Sequence, residues 1–132
     1  MSVDSVRILI IDDEERVREI LAAYLEDSGF QVLQASDGQT GIGFCRRKPP
    51  DLVLCDLRMP GMDGLQVLAT VTREFPELPI LVVSGLGRMS DAIQALKLGA
   101  WDYVTKPIED MAVLEHAINH ALERARLRRE NR

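Results

Sequence analysis

Five short apolar runs recur along the chain, at residues 7–11 (RILII), 31–35 (QVLQA), 52–56 (LVLCD), 80–84 (ILVVS) and 103–105 (YVT). The first, third and fourth are almost continuously apolar, as expected of central strands covered on both faces, whereas the second carries two glutamines and reads as peripheral. Between them the period changes. Val17, Ile20, Leu21, Tyr24 and Leu25 repeat at helical spacing, and Ser28-Gly29 supplies a stop before the second run. Leu65, Leu68, Val71 and Phe75 form a similar stripe ending at Pro76. Gly41 and Gly43 weaken the second helix, and residues 89–98 carry only a thin apolar face, which leaves the fourth helix least tied down. Strands alternating with helices predict an α/β fold built on a parallel sheet.

After Pro107 a helix is predicted to run to the C-terminus, with Met111, Leu114, Ile118, Ala121 and Ala125 alternating by three and four in a heptad-like seam. Its last ten residues hold five arginines and two glutamates, a local charge of +3 on a chain whose remainder is −8. Two readings stand side by side: the solvated end of a helix, where cations suit the dipole, or a linker helix leading to a partner or an output domain. The expected division is a domain over 1–124 and a helical extension over 125–132.

At 132 residues and 46% hydrophobic, the chain has length and apolar content for one domain with its own core. A net charge of −5 gives no general attraction to nucleic acid or to anionic membrane, and no apolar run approaches a bilayer span. The N-terminus lacks the basic start and long apolar segment of a secretory signal, so a cytoplasmic location is expected. Cys45 and Cys55 have neither redox nor metal-ligand spacing and read as small hydrophobes. His116 and His120 stand one helical turn apart and could share a metal, but without a third ligand nearby they read as surface residues.

The chemistry lies at the strand ends. Asp12-Asp13 follow the first run, Asp56 closes the third, Ser84 closes the fourth and Lys106-Pro107 follow the fifth. In a parallel sheet these groups gather at the carboxyl edge, where open α/β sheets bind ligands. Three clustered carboxylates repel one another and are poorly explained by stability. Magnesium wants oxygen ligands and keeps several waters, so this set is enough for it. Asp56 is also a nucleophile of the kind that forms acyl phosphates, and Ser84 and Lys106 are suitable donors to phosphoryl oxygens. No base is needed for a carboxylate already ionised at neutral pH. Asp63, in MPGMDG, is expected to order the turn and the next helix start.

IIDDEE, CDLRMPGMDG, VVSGLG and YVTKP, in this order and at these intervals, resemble the receiver domain of bacterial response regulators, the phosphoacceptor half of two-component signalling. The resemblance covers residues 6 to 124. It implies a flavodoxin-like (βα)5 doubly wound sheet with strand order 2-1-3-4-5. It further implies that Asp13 and Asp56 bind magnesium directly (manganese could substitute), Asp12 acts mainly through bound water, and the Arg58 backbone carbonyl completes the protein ligands. Asp56 would accept a phosphoryl group from a histidine kinase or phosphotransfer protein. Ser84 and Lys106 would then be drawn to the phosphate, Gly85 would leave room for it, and Tyr103 would move inward, altering the face formed by the fourth helix, fifth strand and fifth helix. A cis Lys106-Pro107 bond would aim the lysine into the site.

Arg58 and Leu86, each two residues past a site residue, flank the path of a hydrolytic water and offer no base, so slow self-dephosphorylation is expected. Two other classes compete with the switch. A phosphorylation-independent adaptor is disfavoured by the intact set of five site residues. A magnesium-dependent aspartyl phosphatase needs a general acid near the nucleophile, often two residues on, where Arg58 stands. The chain is therefore expected not to be an enzyme; an output domain and a homodimer remain open as partners.

Overall fold

A computed structural model describes residues 6–85, 89–106, 108 and 110–131. Strands β1 (Arg7–Ile11), β2 (Gln31–Ala35), β3 (Leu52–Cys55), β4 (Ile80–Gly85) and β5 (Asp102–Lys106) alternate with helices α1 (Glu15–Asp27), α2 (Gly38–Arg47), α3 (Gly64–Glu74), α4 (Met89–Lys97) and α5 (Met111–Glu130). All four strand pairings are parallel, in the order β2-β1-β3-β4-β5. This is the flavodoxin-like order that the resemblance implied.

The continuous apolar runs are explained by cover on both faces of the sheet. Successive strand residues point to opposite faces, so Leu9, Ile11, Val53, Cys55, Ile80 and Val82 pack with Ile42 of α2 and Val67, Leu68 and Val71 of α3. Ile8, Ile10, Leu52, Leu54, Leu81 and Val83 meet Leu21 and Leu25 of α1 and Leu114 and Ile118 of α5. Both cysteines lie buried in the first of these layers, and burial pushes the Cys45 thiol up to about 11. They behave as small hydrophobes.

One sequence expectation changes, and two others gain a physical setting. Ile20 belonged to the predicted stripe of the first helix but is 57% exposed. Leu21, Ala22 and Leu25 supply the buried face of α1, and a residue one position before Leu21 is rotated about 100° from it. The glycines of α2 do not prevent a helix: a Cβ on Gly41 would lie 2.4 Å from Ile11 Cδ1, so glycine there lets α2 settle closely on β1. The heptad-like seam of the last helix is spent within the chain. Leu114, Ile118, Ala121 and Ala125 are buried, the first three of them in the α1/α5 layer.

α5 crosses residue 124 without a break and reaches Glu130. Trp101, just before β5, has the guanidinium carbons of Arg124 and Arg128 each 5.0 Å from its ring centroid, so the end of the helix is fastened to the α4–β5 turn. In α4, by contrast, Ala95 is the one fully buried side chain among those described, while Ile93 and Leu96 are open to solvent. No helix among the described residues is long and apolar enough to cross a membrane.

Candidate functional site

The sheet register carries two carboxylates to the same edge. Ile11 of β1 is level with Cys55 of β3, so Asp12 and Asp56 are the next residues out on adjacent central strands. Backbone bonds hold both: Asp12 N–H donates to Ala35 O at 3.1 Å and Asp56 N–H to Ile11 O at 2.9 Å. Asp12 and Asp56 are buried, at 2% and 5% exposure, whereas Asp13 is exposed. Carboxylate oxygens of all three lie within 4.8 Å of one another.

Lys106 enters from the end of β5. Its Nζ donates to Asp12 Oδ2 at 2.8 Å and lies 3.6 Å from Asp56 Oδ2 and 3.6 Å from Glu14 Oε1. Burial would lower the lysine pKa, but the Asp12 hydrogen bond and the Asp56, Asp12 and Glu14 charges together raise it. Lys106 is therefore a firmly held cation. Burial is the main reason that the Asp56 pKa is raised, with the Asp12 charge adding to it; Lys106, the Arg58 amide and the Ser84 hydroxyl pull it down. The Asp56 carboxylate is thus a buried anion with incomplete compensation.

Two local devices fix the loop that follows Asp56. Gly64 is pressed against it so closely that a Cβ would fall 2.2 Å from Asp56 O and 2.4 Å from Leu57 Cα. Asp63 caps α3 in a capping box: its side chain accepts from Gln66 N–H at 3.0 Å, and Gln66 Oε1 accepts from Asp63 N–H at 3.1 Å. That is the turn-ordering role expected of Asp63. Arg58 N–H donates to Asp56 Oδ1 at 3.3 Å, steering the carboxylate from its own loop.

Ser84 is buried at the end of β4, and Gly85 pairs with Lys106 across β4 and β5. The nearest atom to an added Cβ on Gly85 is Lys106 Cβ at 3.9 Å, so the neighbourhood is open. Tyr103 departs from the expected starting state. Its hydroxyl is already buried, with no hydrogen-bond partner among the described residues, and the ring packs against the α2/α3 layer. Burial raises its pKa first and the Asp91 charge second. Pro107 and Leu86 lie outside the described residues, and the expectations placed on them with them.

Residues 8–119 match the family model for the response regulator receiver domain. The chain belongs to this family. It is 36% identical over 129 residues to an NtrX-like response regulator of Rickettsia bellii (strain RML369-C), covering 96% of this chain and 27% of that protein. It is 38% identical over 128 residues to the nitrogen assimilation regulatory protein NtrX of Azorhizobium caulinodans, covering 95% of this chain and 28% of that one. Among solved structures, NtrX from Brucella abortus in complex with ADP superposes with a TM-score of 0.90 at 33% identity, over 96% of this chain and 29% of that chain. A receiver domain protein from Clostridium thermocellum gives 0.87 at 32% identity, over 92% and 98%. The receiver thus spans about a quarter of the length of these NtrX-type relatives.

The receiver site gathers Asp12, Asp13, Asp56 and Lys106, with Ser84 adding a hydroxyl that helps to hold the Asp56 charge. Sequence reasoning missed two participants. Glu14 adds a further acid beside Lys106; it stands next to Asp12-Asp13 in IIDDEE, which is the signal that could have found it. Asp91 pairs with the Arg58 guanidinium across 33 residues, and no local spacing marks such a partner. His116 and His120 are exposed, with rings stacked 6.4 Å apart. They do not belong to the one acidic cluster among the described residues with metal-binding geometry.

Proposed function

We propose that this receiver takes a phosphoryl group onto Asp56 from a phosphohistidine of a kinase or phosphotransfer protein, with a divalent cation held by Asp12, Asp13 and Asp56. One observation carries the reading: three carboxylates within 4.8 Å, two of them buried, beside a lysine 2.8 Å from one and 3.6 Å from another. Such an arrangement costs stability, and an oxygen-seeking cation together with an anionic substrate relieves it. The donor set suits magnesium or manganese: three carboxylates, with the Arg58 backbone carbonyl as the further oxygen ligand that the family resemblance implies and the exposed Asp13 side left for water.

When bound, the cation offsets the charge of the carboxylates and the incoming phosphoryl oxygens. The chain does the rest. Arg58 N–H holds one Asp56 oxygen and leaves the carboxylate steered for in-line attack. A carboxylate oxygen forms the new bond to phosphorus as the bond to the donor imidazole nitrogen breaks; that nitrogen keeps the electron pair, and the proton carried by the other ring nitrogen of the phosphohistidine stays there, so the donor leaves as neutral imidazole. Lys106 and Ser84 are the donors available to the transferred oxygens. With no acid two residues beyond Asp56, the domain has no equipment for turnover on outside substrates, so it acts as a phosphoacceptor rather than an enzyme.

An apolar hollow beside the site, lined by Val17, Ile20, Leu21, Ile108 and Met111 together with Lys106, supports contact with a donor protein at this edge. The exposed Ile20 of α1 belongs to it. The output reading is a cytoplasmic switch in which Ser84 and Tyr103 alter the α4–β5–α5 face for a partner, a second copy or a C-terminal output domain. The greater length of the relatives and the run of α5 beyond 124 favour an output domain, with residues 125–132 as the connecting segment.

The test is intact-mass spectrometry after incubation with acetyl phosphate and magnesium, alongside Asp56→Asn and a chelator control. A single phosphoryl adduct, absent from both controls, is expected. No adduct on folded, magnesium-binding protein overturns the proposal in favour of a phosphorylation-independent adaptor.

A further inference from the structure

The cation two residues beyond the acceptor is not directed at the acceptor. Arg58 gives its amide to Asp56 Oδ1 at 3.3 Å, but its guanidinium is ion-paired to Asp91 Oδ2 in the first turn of α4. The ends of this pair differ. The Arg58 side chain is 65% exposed, whereas that of Asp91 is 19% exposed, so the carboxylate is the anchored member and the guanidinium the movable one. Arg58 also feels the Asp56 charge, and the Tyr103 hydroxyl, whose pKa is raised first by burial, feels the charges of Asp91 and Arg58, so the four groups form one electrostatic neighbourhood.

We propose that Asp91 is a positioning residue for the chemistry at Asp56: it parks the Arg58 guanidinium on α4 in the resting protein, and Arg58 moves to the phosphoryl oxygens once Asp56 carries them. This rests on the phosphoacceptor reading. A phosphoryl group brings nearly two negative charges and several acceptor oxygens, and a guanidinium binds such a group in a fork. A single carboxylate offers less charge, and the largely exposed guanidinium changes partners at little cost. The exchange has a mechanical consequence. α4 loses this ion pair to the loop after Asp56, having Ala95 as the one fully buried side chain among those described, and the Asp91 charge, unpaired from Arg58, still acts on the buried Tyr103 hydroxyl. The same residue pair thereby links acceptor occupancy to the packing of α4.

The experiment measures the affinity of beryllofluoride, a phosphoryl mimic, with magnesium at saturation, by calorimetry on the wild type, Asp91→Asn, Arg58→Ala and the double variant, each checked for folding by thermal unfolding. Releasing Arg58 by Asp91→Asn is expected to tighten binding about threefold to tenfold, and Arg58→Ala to weaken it by a similar factor. In the Arg58→Ala background, Asp91→Asn is expected to have no further effect. An Asp91→Asn effect of the same size with and without Arg58, or no effect in either, overturns the positioning role while leaving the acceptor reading intact. Wild-type protein that binds no beryllofluoride and gains no adduct from acetyl phosphate overturns both.

Discussion

Asp56→Asn is expected to stabilise the metal-free protein although it removes the proposed acceptor. Asp12 and Asp56 are almost fully buried, and their carboxylates lie with that of Asp13 within 4.8 Å. At an effective dielectric of about 20, like charges about 4.8 Å apart repel by roughly 3.5 kcal/mol, and opposite charges about 3.6 Å apart attract by roughly 4.6 kcal/mol. Asp56 meets two such repulsions, the one from exposed Asp13 weakened by water, against the attraction of Lys106 at 3.6 Å. The Coulomb contributions nearly cancel, so the cost of desolvating the buried carboxylate stays uncompensated. Asparagine retains the shape and an oxygen for Arg58 N–H while removing the charge. The expected gain is about 1–2 kcal/mol, or roughly 3–8 °C in Tm for a domain of this size.

The same reasoning sets the pH dependence. The folded-state pKa of Asp56 is raised, so the folded protein holds this proton more tightly than the unfolded chain. The penalty is absent below the unfolded value, grows as pH rises through the folded value and is constant above it. Thermal unfolding followed by circular dichroism, in chelator, from about pH 4 to about pH 8, is the assay. The gap between variant and wild type should widen with rising pH and then level off. Magnesium at about one hundred times its Kd should add roughly 2.7 kcal/mol to the wild type, and less to the variant. An Asp56→Asn protein no more stable than wild type at neutral pH, without metal, would refute the argument that the site is electrostatically frustrated.

Tyr103→Phe removes a buried hydroxyl without a partner among the described residues and should raise metal-free stability by about 1 kcal/mol, measured by chemical denaturation; a loss of similar size would mean the hydroxyl is satisfied. Gly64→Ala forces a Cβ to within 2.2 Å of Asp56 O and should cost about 2 kcal/mol or more, with slower acetyl phosphate labelling because the acceptor loop must shift. Trp101 is the sole tryptophan, so loss of its cover in the Arg124→Ala, Arg128→Ala double variant should appear as stronger acrylamide quenching, and unchanged quenching would show that the two guanidiniums do not shield the ring.

Much of the fold was legible because the signals were redundant. In the central strands Ile8 to Ile11, Leu52 to Cys55 and Ile80 to Val83, every residue is buried on one face or the other, which is what an unbroken apolar run reports. The site was legible because a parallel sheet sends every strand end to one edge, so residue types at strand ends stand in for coordinates. Side-chain direction was less accessible. Ile20 fits the spacing of its helix yet faces solvent, and the seam of α5 has the spacing of a coiled coil while packing on its own sheet. Periodicity identifies a face but not what covers it. The Arg58–Asp91 pair was beyond reach for a different reason: it depends on where the loop after β3 and the first turn of α4, 33 residues apart, arrive in three dimensions.

The features least favourable to stability lie close together. The carboxyl edge holds the repelling carboxylates, and near it are the Tyr103 hydroxyl, buried without a hydrogen-bond partner among the described residues, and α4, with Ala95 as its one fully buried side chain among those described. Elsewhere the local arrangements favour the fold: α3 has a full capping box, α2 is tightly seated through Gly41, and α5 is buried along one face as far as Ala125. A fold that satisfied every group could hold one state but would have little to gain from a new charge at Asp56. On the proposed reading a phosphoryl group would offer Lys106 and Arg58 a stronger partner than either has at rest, and α4, the helix that would respond, has Ala95 as its one fully buried side chain among those described. The energy available to a switch is therefore set by what the resting site leaves uncompensated. On this view, variants that relieve the resting site, Asp56→Asn and Tyr103→Phe among them, should gain stability and lose response together, so a Tyr103→Phe protein that became more stable while keeping a full change in the α4–β5–α5 face on beryllofluoride binding would separate the two.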